Sequence, residues 1–364
     1  MISLRQVVKR FPGSLEPAVR GLSLDVEEGK TVVLVGPSGC GKTTALRMMN
    51  RLIEPTSGTI EVEGKDVMQQ NPVRLRRRMG YVIQSIGLLP HRTVAQNIGT
   101  VPELEGWKAE RIAARVRELS AMLHLDDELL DRYPAELSGG QRQRVGVARA
   151  LAVDPPVMLM DEPFAAVDPI VRARLQDQYR ELQGSLRKTT VFVTHDIDEA
   201  IKMADRIAIL NVGGILEQFA SPEEILRAPA NEFVEAFVGP ERGLKRLALI
   251  RVADIEVEEG PVVSPNDAVE KARTVMREFG LDWTSVIDDG ELLGWVDERM
   301  LDGVDRVGDA TPRRFSAYVT GDDSLRQALD SIATSRTNVA VVVTEGQRYR
   351  GILTLERITE EIVA

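Results

Sequence analysis

Residues 36–43, which read GPSGCGKT, constrain the fold more than any other segment of the chain. They fit the pattern G-x-x-x-x-G-K-[ST] at every fixed position, after a β-branched apolar run and before a helical pattern. Glycines let the backbone curl until its N–H groups converge, and the helix that follows adds the positive end of its dipole. The alternative is a glycine-rich turn with an exposed lysine, but the strand–loop–helix context favours a phosphate-binding loop.

The residue types in this loop predict how it would hold a nucleoside triphosphate. Lys42 should reach the β- and γ-phosphates, and the Thr43 hydroxyl should coordinate Mg²⁺. We expect Cys40 to be a small filler of the loop, because no base or metal-ligand partner is evident beside it. The candidate nucleotide-binding residues here are Gly36, Pro37, Ser38, Gly39, Cys40, Gly41, Lys42, Thr43 and Thr44.

A second motif joins an apolar run at 157–160 to the carboxylates Asp161 and Glu162. Acids at the carboxyl end of a parallel strand lie beside the phosphate loop in open α/β sheets. Asp161 would then be a second Mg²⁺ ligand, and Glu162 would polarise the attacking water. Alone this pattern is weak, since many buried strands end in acids. Together with the loop it indicates phosphoryl transfer from a nucleoside triphosphate to water.

Hydrophobic patterning predicts an α/β fold. Buried strands are expected at 31–35, 157–160, 190–194 and 207–210, and helices at 42–51, 109–123, 141–152, 172–186 and 197–203. The strands are β-branched or apolar throughout, which fits a mainly parallel sheet covered on both faces.

Length and composition limit the remaining possibilities. A chain of 364 residues suggests two or three domains, and 43% apolar residues are too many for a disordered one. A single cysteine excludes an internal disulfide framework. We find no apolar run long enough to span a membrane and no signal-peptide core, so we expect a cytoplasmic chain. The net charge of −10 argues against a dedicated nucleic-acid binder.

The composition changes near residue 240. Residues 241–364 hold 16 basic and 24 acidic residues, against 30 and 32 in residues 1–240. The last third also contains a weak repeat, in which DAV at 267–269 matches DSL at 323–325, DG at 289–290 matches EG at 345–346, and Gly294 matches Gly351. The repeat predicts two half-domains that pack together and bury faces that neither could bury alone. The alternative is chance similarity between two helix–strand units. We expect domains at 1–240 and 250–364.

LSGGQ at 137–141, taken alone, is a helix start capped by Ser138. Combined with the loop and the Asp-Glu strand, it resembles the signature of the ABC-type ATPases over about residues 1–235. The resemblance implies a P-loop ATPase with a helical subdomain, and ATP and Mg²⁺ as cofactors. It also implies a homodimer, in which Ser138, Gly139, Gly140 and Gln141 of one copy close over ATP held by the other.

Further residues acquire roles from this resemblance. Phe11 resembles the aromatic residue that stacks on adenine, although an ordinary core or edge phenylalanine is the alternative. Gln84 resembles the glutamine that touches Mg²⁺ and signals to the membrane partner. Asp168 resembles the aspartate that crosses the dimer interface, and His195 the histidine that contacts the γ-phosphate. Lys42, Gln84, Glu162 and His195 are thus the candidate catalytic set, and Thr43, Gln84 and Asp161 the candidate metal ligands.

The segment QSIGLLPHRTV at 84–94 resembles importer ATPases for glycine betaine, choline and carnitine. That implies a peripheral protein on the cytoplasmic face of the membrane, with integral permease subunits and an extracytoplasmic substrate-binding protein as partners and no nucleic acid. Three rivals stay open: an importer ATPase for an amino acid or ion, a soluble ABC protein of translation or DNA repair, and a purely regulatory binding module.

The C-terminal third resembles a tandem CBS module of α+β type. Such modules often bind adenosine ligands through G-x-x-T-x-x-D. GILTLER at 351–357 keeps Thr354 but has Arg357 in place of Asp, and GWVDERM at 294–300 lacks both polar positions. Three readings stay open: a regulatory nucleotide such as cyclic di-AMP, a response to ionic strength through the acidic face, or dimerisation of the ATPases.

Overall fold

The computed structural model describes residues 1–84, 87–165, 167–344 and 346–363. The predicted repeat match at Glu345 lies outside these residues, as do Ser85, Ile86 and Ala166. The chain divides into two compact units, Met1–Val238 and Gly239–Ala364.

Unit 1 contains two sheets. Its strands are β1 (Ile2–Lys9), β2 (Val19–Val26), β3 (Thr31–Val35), β4 (Ser57–Val62), β5 (Lys65–Asp66), β6 (Met79–Val82), β7 (Val157–Asp161), β8 (Thr189–Val193), β9 (Arg206–Asn211) and β10 (Ile215–Ala220). An antiparallel sheet has the order β2-β1-β4-β5. The other has the order β10-β9-β3-β8-β7-β6, and every pair except β10–β9 is parallel. The prediction of a mainly parallel sheet is confirmed.

The helices of unit 1 are α1 (Lys42–Met49), α2 (Pro72–Arg77), α3 (Val94–Ile98), α4 (Thr100–Leu104), α5 (Ala109–Met122), α6 (Gly139–Leu151), α7 (Pro169–Leu186), α8 (Ile197–Met203), α9 (Pro222–Arg227) and α10 (Glu232–Val238). Helices α3, α4, α5 and α6 contact one another and form a helical subdomain. The predicted helix at 42–51 ends two residues early, because Asn50 caps α1 and Arg51 has a φ of +53°.

Helix α1 positions the loop that precedes it by packing between the two sheets. It contacts β4 of the antiparallel sheet and β7 and β8 of the parallel one. Leu46, Met48 and Met49 of the helix have no exposed surface and join Leu34 and Ile60 in one core. Strands β3, β7 and β8 are buried along their whole length, as expected for central parallel strands whose faces are both covered.

Unit 2 comprises α11 (Arg242–Leu247), β11 (Val262–Val263), α12 (Val269–Phe279), β12 (Trp283–Asp288), β13 (Glu291–Asp297), β14 (Tyr318–Val319), α13 (Leu325–Thr334), β15 (Val339–Val343), β16 (Tyr349–Thr354) and α14 (Leu355–Val363). Its sheets have the orders β11-β12-β13 and β14-β15-β16. In each, the first pair of strands is parallel and the second antiparallel.

The predicted repeat within unit 2 is confirmed by strand register. Val262 pairs with Ser285 in one sheet, and Tyr318 pairs with Val341 in the other. Gly294 and Gly351 hold matching places in β13 and β16, with φ of +150° and +149°. A shared core joins the two halves, including Trp283, Leu292, Trp295, Phe315, Val341 and Ile352.

None of the helices within the described residues combines the length and apolar character needed to cross a membrane.

Candidate functional site

The loop between β3 and α1 is built on glycine. Gly41, which precedes α1, has a φ of +105°, and a Cβ placed there would lie 2.4 Å from the carbonyl oxygen of Ala18. Pro37, Ser38 and Gly39 form its tip, and Ser38 and Gly39 are exposed. Cys40 has no exposed surface, as expected for a filler of the loop. The close approach of the Ala18 carbonyl therefore leaves room only for glycine at position 41.

Replacing Gly41 by alanine is expected to destabilise unit 1 strongly. The new Cβ would collide with the Ala18 carbonyl and would also require a left-handed backbone, which costs an L-residue ~1–2 kcal/mol by itself. Gly39→Ala is the matched control, because Gly39 has a φ of +80° but nothing within 4 Å of its Cβ position. Urea unfolding should show that Gly41→Ala lowers the free energy of unfolding clearly more than Gly39→Ala does. Equal decreases in the two variants would contradict the predicted collision.

Lys42 lies inside the loop, with 6% of its surface exposed. Its Nζ donates hydrogen bonds to the carbonyl oxygens of Gly36, at 2.7 Å, and Pro37, at 3.0 Å. It also lies 3.7 Å from the Cys40 sulfur. A buried ammonium needs such acceptors, because burying an unpaired charge is costly. Phosphate oxygens entering the loop would offer stronger, charged acceptors in their place.

Thr43 and Asp161 meet at the end of β7. The Thr43 hydroxyl donates to Asp161 Oδ1 at 2.8 Å, and Arg47 Nη2 lies 3.7 Å from Oδ2. Burial raises the pKa of Asp161, while the Thr43 hydrogen bond and the Arg47 charge act in the opposite direction. Hydroxyl and carboxylate oxygens are the ligands that Mg²⁺ prefers. The donor set therefore fits a magnesium ion, although the described residues contain no cluster of three or more His, Cys, Asp or Glu placed to hold a metal.

Glu162 is held by groups from two neighbouring strand ends. Gln84 Nε2, after β6, donates to Oε2 at 3.0 Å, and His195 Nδ1, after β8, lies 3.3 Å from Oε1. Its backbone N–H donates to the carbonyl of Val193, and its φ is +43°, which is uncommon outside glycine. Such backbone strain persists where surrounding structure imposes it, most often at functional sites. Gln84 and His195 thus hold the Glu162 carboxylate next to the end of β7, where Asp161 lies.

The remaining candidate residues lie on other elements. Ser138 caps α6, and its side chain and that of Gln141 form a reciprocal capping box on either side of Gly139 and Gly140. Asp168 caps α7 by accepting from the Val171 N–H at 3.0 Å. None of these capping hydrogen bonds reaches the phosphate-binding loop. Thr44 lies in the first turn of α1.

Phe11 follows β1, and 40% of its surface is exposed. The Lys9 ammonium lies 5.2 Å from its ring centroid. The exposed ring argues against the core alternative and leaves one aromatic surface accessible for stacking.

Arg47 is a site residue that sequence reasoning missed. It lies one helical turn after Thr43 on α1, so it faces the same side and reaches the buried Asp161. The spacing of four residues from Thr43 was the available signal. Without the strand order, however, nothing showed that Asp161 would lie opposite that face.

Two known protein families match parts of this chain. The ABC transporter family model matches residues 19–165, and the CBS domain model matches residues 307–364. The chain is 47% identical to the glycine betaine/carnitine/choline transport ATP-binding protein OpuCA of Bacillus subtilis, over 97% of this chain and 94% of that protein. It is 44% identical to the osmoprotectant import ATP-binding protein OsmV of Salmonella typhimurium, over 99% of this chain and 96% of that protein.

Among solved structures, the dimeric ABC transporter cassette MJ0796 superposes with a TM-score of 0.56 at 32% identity, covering 61% of this chain and 99% of that one. The same cassette in a post-hydrolysis state, with ADP and Pi bound, also has a TM-score of 0.56, at 31% identity. The family model matches within unit 1, and the two relatives match over almost the whole chain. The chain therefore belongs to the ABC transporter family and is one of its ATP-binding, ATP-hydrolysing proteins.

Proposed function

We propose that this chain is the subunit that hydrolyses ATP to drive import of a quaternary-amine osmoprotectant, of the glycine betaine, choline or carnitine class, through a separate membrane permease. The observation that carries the ATPase part is the Glu162 carboxylate, held between Gln84 and His195 beside Thr43 and Asp161. The substrate class rests on relatives named for glycine betaine, carnitine, choline and osmoprotectant transport.

In this mechanism each residue has a task that its position supports. The loop N–H groups and Lys42 bind the phosphates, and Lys42 exchanges the carbonyls of Gly36 and Pro37 for phosphate oxygens. Thr43 and Asp161, with Gln84, would hold Mg²⁺, which supplies positive charge against the phosphate oxygens when bound. Glu162 accepts a hydrogen bond from the attacking water and orients it, while Gln84 and His195 fix its carboxylate. His195 also contacts the γ-phosphate.

The site is incomplete in one copy under this proposal. Ser138 caps α6, whose first turn contains Gly139, Gly140 and Gln141, and Asp168 caps α7. Both helices would present their N-termini to a partner. A homodimer would bring the α6 end of one copy to the loop of the other, with ATP between them. The dimeric form of MJ0796, at 32% identity, supports this arrangement.

The partners follow from the same relatives. The chain would work at the cytoplasmic face of the membrane, bound to integral permease subunits that receive substrate from an extracytoplasmic binding protein. Nucleic acid has no part in this function. The runner-up is an importer ATPase for another small substrate, such as an amino acid or an ion, because the transported molecule need not touch this subunit.

Residues 250–364 would form a regulatory tandem CBS module attached to an ATPase domain of residues 1–240. Thr354 Oγ1 donates to Glu258 Oε2 at 2.7 Å, and the Thr354 N–H lies 3.2 Å from the same oxygen. Arg357 is paired with Glu360 and Glu361. A carboxylate at Thr354 would repel a phosphate, which favours a response to ionic strength or a dimerising role over ordinary adenosine binding. A ligand such as cyclic di-AMP would have to displace Glu258.

Reconstitution of the transporter tests the substrate class. The chain, purified from membranes with its permease and supplied with the system's binding protein, should take up radiolabelled glycine betaine, choline or carnitine into ATP-loaded vesicles. Excess unlabelled quaternary amine should compete, whereas amino acids should not. Uptake that only an amino acid or an ion inhibits would favour the runner-up. If the chain were purified from membranes without any permease, both importer functions would be contradicted.

A further inference from the structure

Helices α7 and α8 are joined by a hydrogen bond between two buried polar side chains. Gln176 Nε2 on α7 donates to Glu199 Oε1 on α8 at 2.9 Å. Gln176 is 7% exposed and Glu199 is 8% exposed. Carboxylates are almost never buried this deeply unless they are paired, and no step of the proposed hydrolysis uses this one. Because a buried polar group that loses its partner is costly, the hydrogen bond holds the two helices at one relative position.

Glu199 lies in the first turn of α8, which begins directly after the loop that carries His195. Asp196 caps this helix by accepting from the N–H groups of Asp198, at 2.9 Å, and Glu199, at 3.4 Å. The Asp196 N–H itself donates to Thr194 Oγ1 at 3.0 Å. Burial raises the pKa of Glu199, and the nearby Thr194 hydroxyl opposes that rise. His195 therefore stands between two residues that are both tied to the start of α8.

The position of the His195 ring depends on this backbone more than on packing around the ring. Its side chain is 58% exposed, and Nδ1 lies 3.3 Å from Glu162 Oε1. A ring with so few neighbours follows the backbone that carries it. A shift of about 1 Å in a catalytic group, caused by a change elsewhere, can slow a reaction about 100-fold. Whatever fixes the start of α8 therefore affects hydrolysis.

Helix α7 supplies the other end of the connection. It begins after Asp168, and Arg172 Nη2 in its first turn donates to the carbonyl of Val167 at 3.1 Å. Gln176 lies one turn after Arg172, on the same side of the helix. Helix α7 has 18 residues and α8 has seven, so the longer helix supports the shorter one. One buried hydrogen bond thus connects the helix that follows Asp168 to the turn that follows His195.

We propose that Glu199 is a positioning residue for ATP hydrolysis, which keeps His195 in place through its hydrogen bond to Gln176. Without that bond the start of α8 is free to shift, and the His195 ring shifts with it. ATP binding should be unaffected, because the phosphate-binding loop is not part of this contact. The inference rests on the role that the proposed function gives to His195.

The first test removes the donor and keeps the size of the side chain. In the full chain, Gln176→Met should lower kcat for ATP hydrolysis about 10-fold and leave KM for ATP unchanged, the pattern of a group needed only in the transition state. Phosphate release measures the rate, and urea unfolding checks that the variant is folded. Gln176→Asn, which shortens the side chain by one methylene group, should show the same fall and replaces Gln176→Met if that variant does not fold.

An exchange of the two side chains separates positioning from general damage. Gln176→Glu alone places two carboxylates together in a buried site and should also slow hydrolysis. Adding Glu199→Gln restores one amide and one carboxylate with their places reversed, so the double variant should recover the wild-type kcat. A loss caused only by disturbed packing would not be reversed by the second substitution.

A second contact between the same two helices provides the matched control. Lys202 Nζ on α8 lies 2.7 Å from Asp177 Oδ1 on α7, and the Asp177 side chain is 66% exposed. Exposed ion pairs contribute little to stability, and this one does not involve the first turn of α8. Asp177→Asn should therefore leave both kcat and KM unchanged. An equal fall in kcat for Asp177→Asn would show that any contact between the helices matters and would overturn the role of Glu199.

His195→Ala decides whether the effect passes through the histidine. In that background Gln176→Met should slow hydrolysis no further, because two changes that act through one group are not additive. A further fall, or a normal kcat in folded Gln176→Met with intact His195, would overturn the inference and leave the proposed function standing. Normal hydrolysis by His195→Ala itself would instead show that the role of His195 in the proposed function is wrong, and the inference would fall with it.

Discussion

Replacing Glu162 by glutamine is expected to slow ATP hydrolysis by at least ~10²-fold, the lower limit for losing a general base. The substitution keeps the size of the side chain and an oxygen for Gln84 to donate to, but it removes the charge that polarises water. ATP binding should survive, because Lys42, Thr43 and Asp161 are untouched. With hydrolysis blocked, the variant should accumulate as an ATP-bound dimer, measured by phosphate release and by light scattering.

Glu118→Gln is the matched control for this experiment. Glu118 is an exposed carboxylate on α5 that pairs with Arg115 at 2.7 Å, away from the loop. Its loss should leave the turnover rate unchanged. If the Glu162→Gln variant hydrolysed ATP normally, the catalytic assignment would be wrong. A hydrolysis-deficient variant that stayed monomeric at saturating ATP would instead contradict the dimer.

Lys42→Ala is expected to weaken ATP binding at least ~100-fold. Hydrogen bonds to charged groups contribute ~1.5–3 kcal/mol each, so losing two of them amounts to roughly two decades of affinity. The dissociation constant can be measured by titrating a fluorescent ATP analogue in the presence of Mg²⁺. Lys65→Ala, on the exposed edge strand β5, should bind as the wild type does.

A folding control separates binding from stability in this variant. Lys42 links the carbonyls of Gly36 and Pro37, so its loss removes two hydrogen bonds within the loop. Unit 1 should still unfold cooperatively in urea, because the core around Leu46 and Met49 is unaffected. Tight ATP binding by a folded Lys42→Ala variant would show that the lysine does not contact the phosphates.

Local patterns predicted much of unit 1. The apolar runs that became β3, β7, β8 and β9 are buried strands, since short continuous apolar runs are typical of parallel strands covered on both faces. The structure also explains why the loop needs glycine at position 41, because a Cβ there would collide with the backbone carbonyl of Ala18. The strands β11 and β14 were harder to predict, because each has only two residues. Two residues are too few to show the hydrophobic alternation of a strand, and they form one only by pairing with a neighbouring strand.

The sequence by itself determined the chemistry of this protein. It identified the phosphate-binding loop, the Asp-Glu pair and the helix-capping turn at Ser138, because each depends on residue types at short spacings. It also identified the duplicated C-terminal third, because the same residue types recur there in the same order. Only the tertiary structure decided how distant residues meet. It set Gln84 and His195 on either side of Glu162, brought Arg47 to Asp161 and paired Thr354 with Glu258. These contacts depend on strand order and helix packing, which join residues far apart in the chain and leave no signal in local spacing.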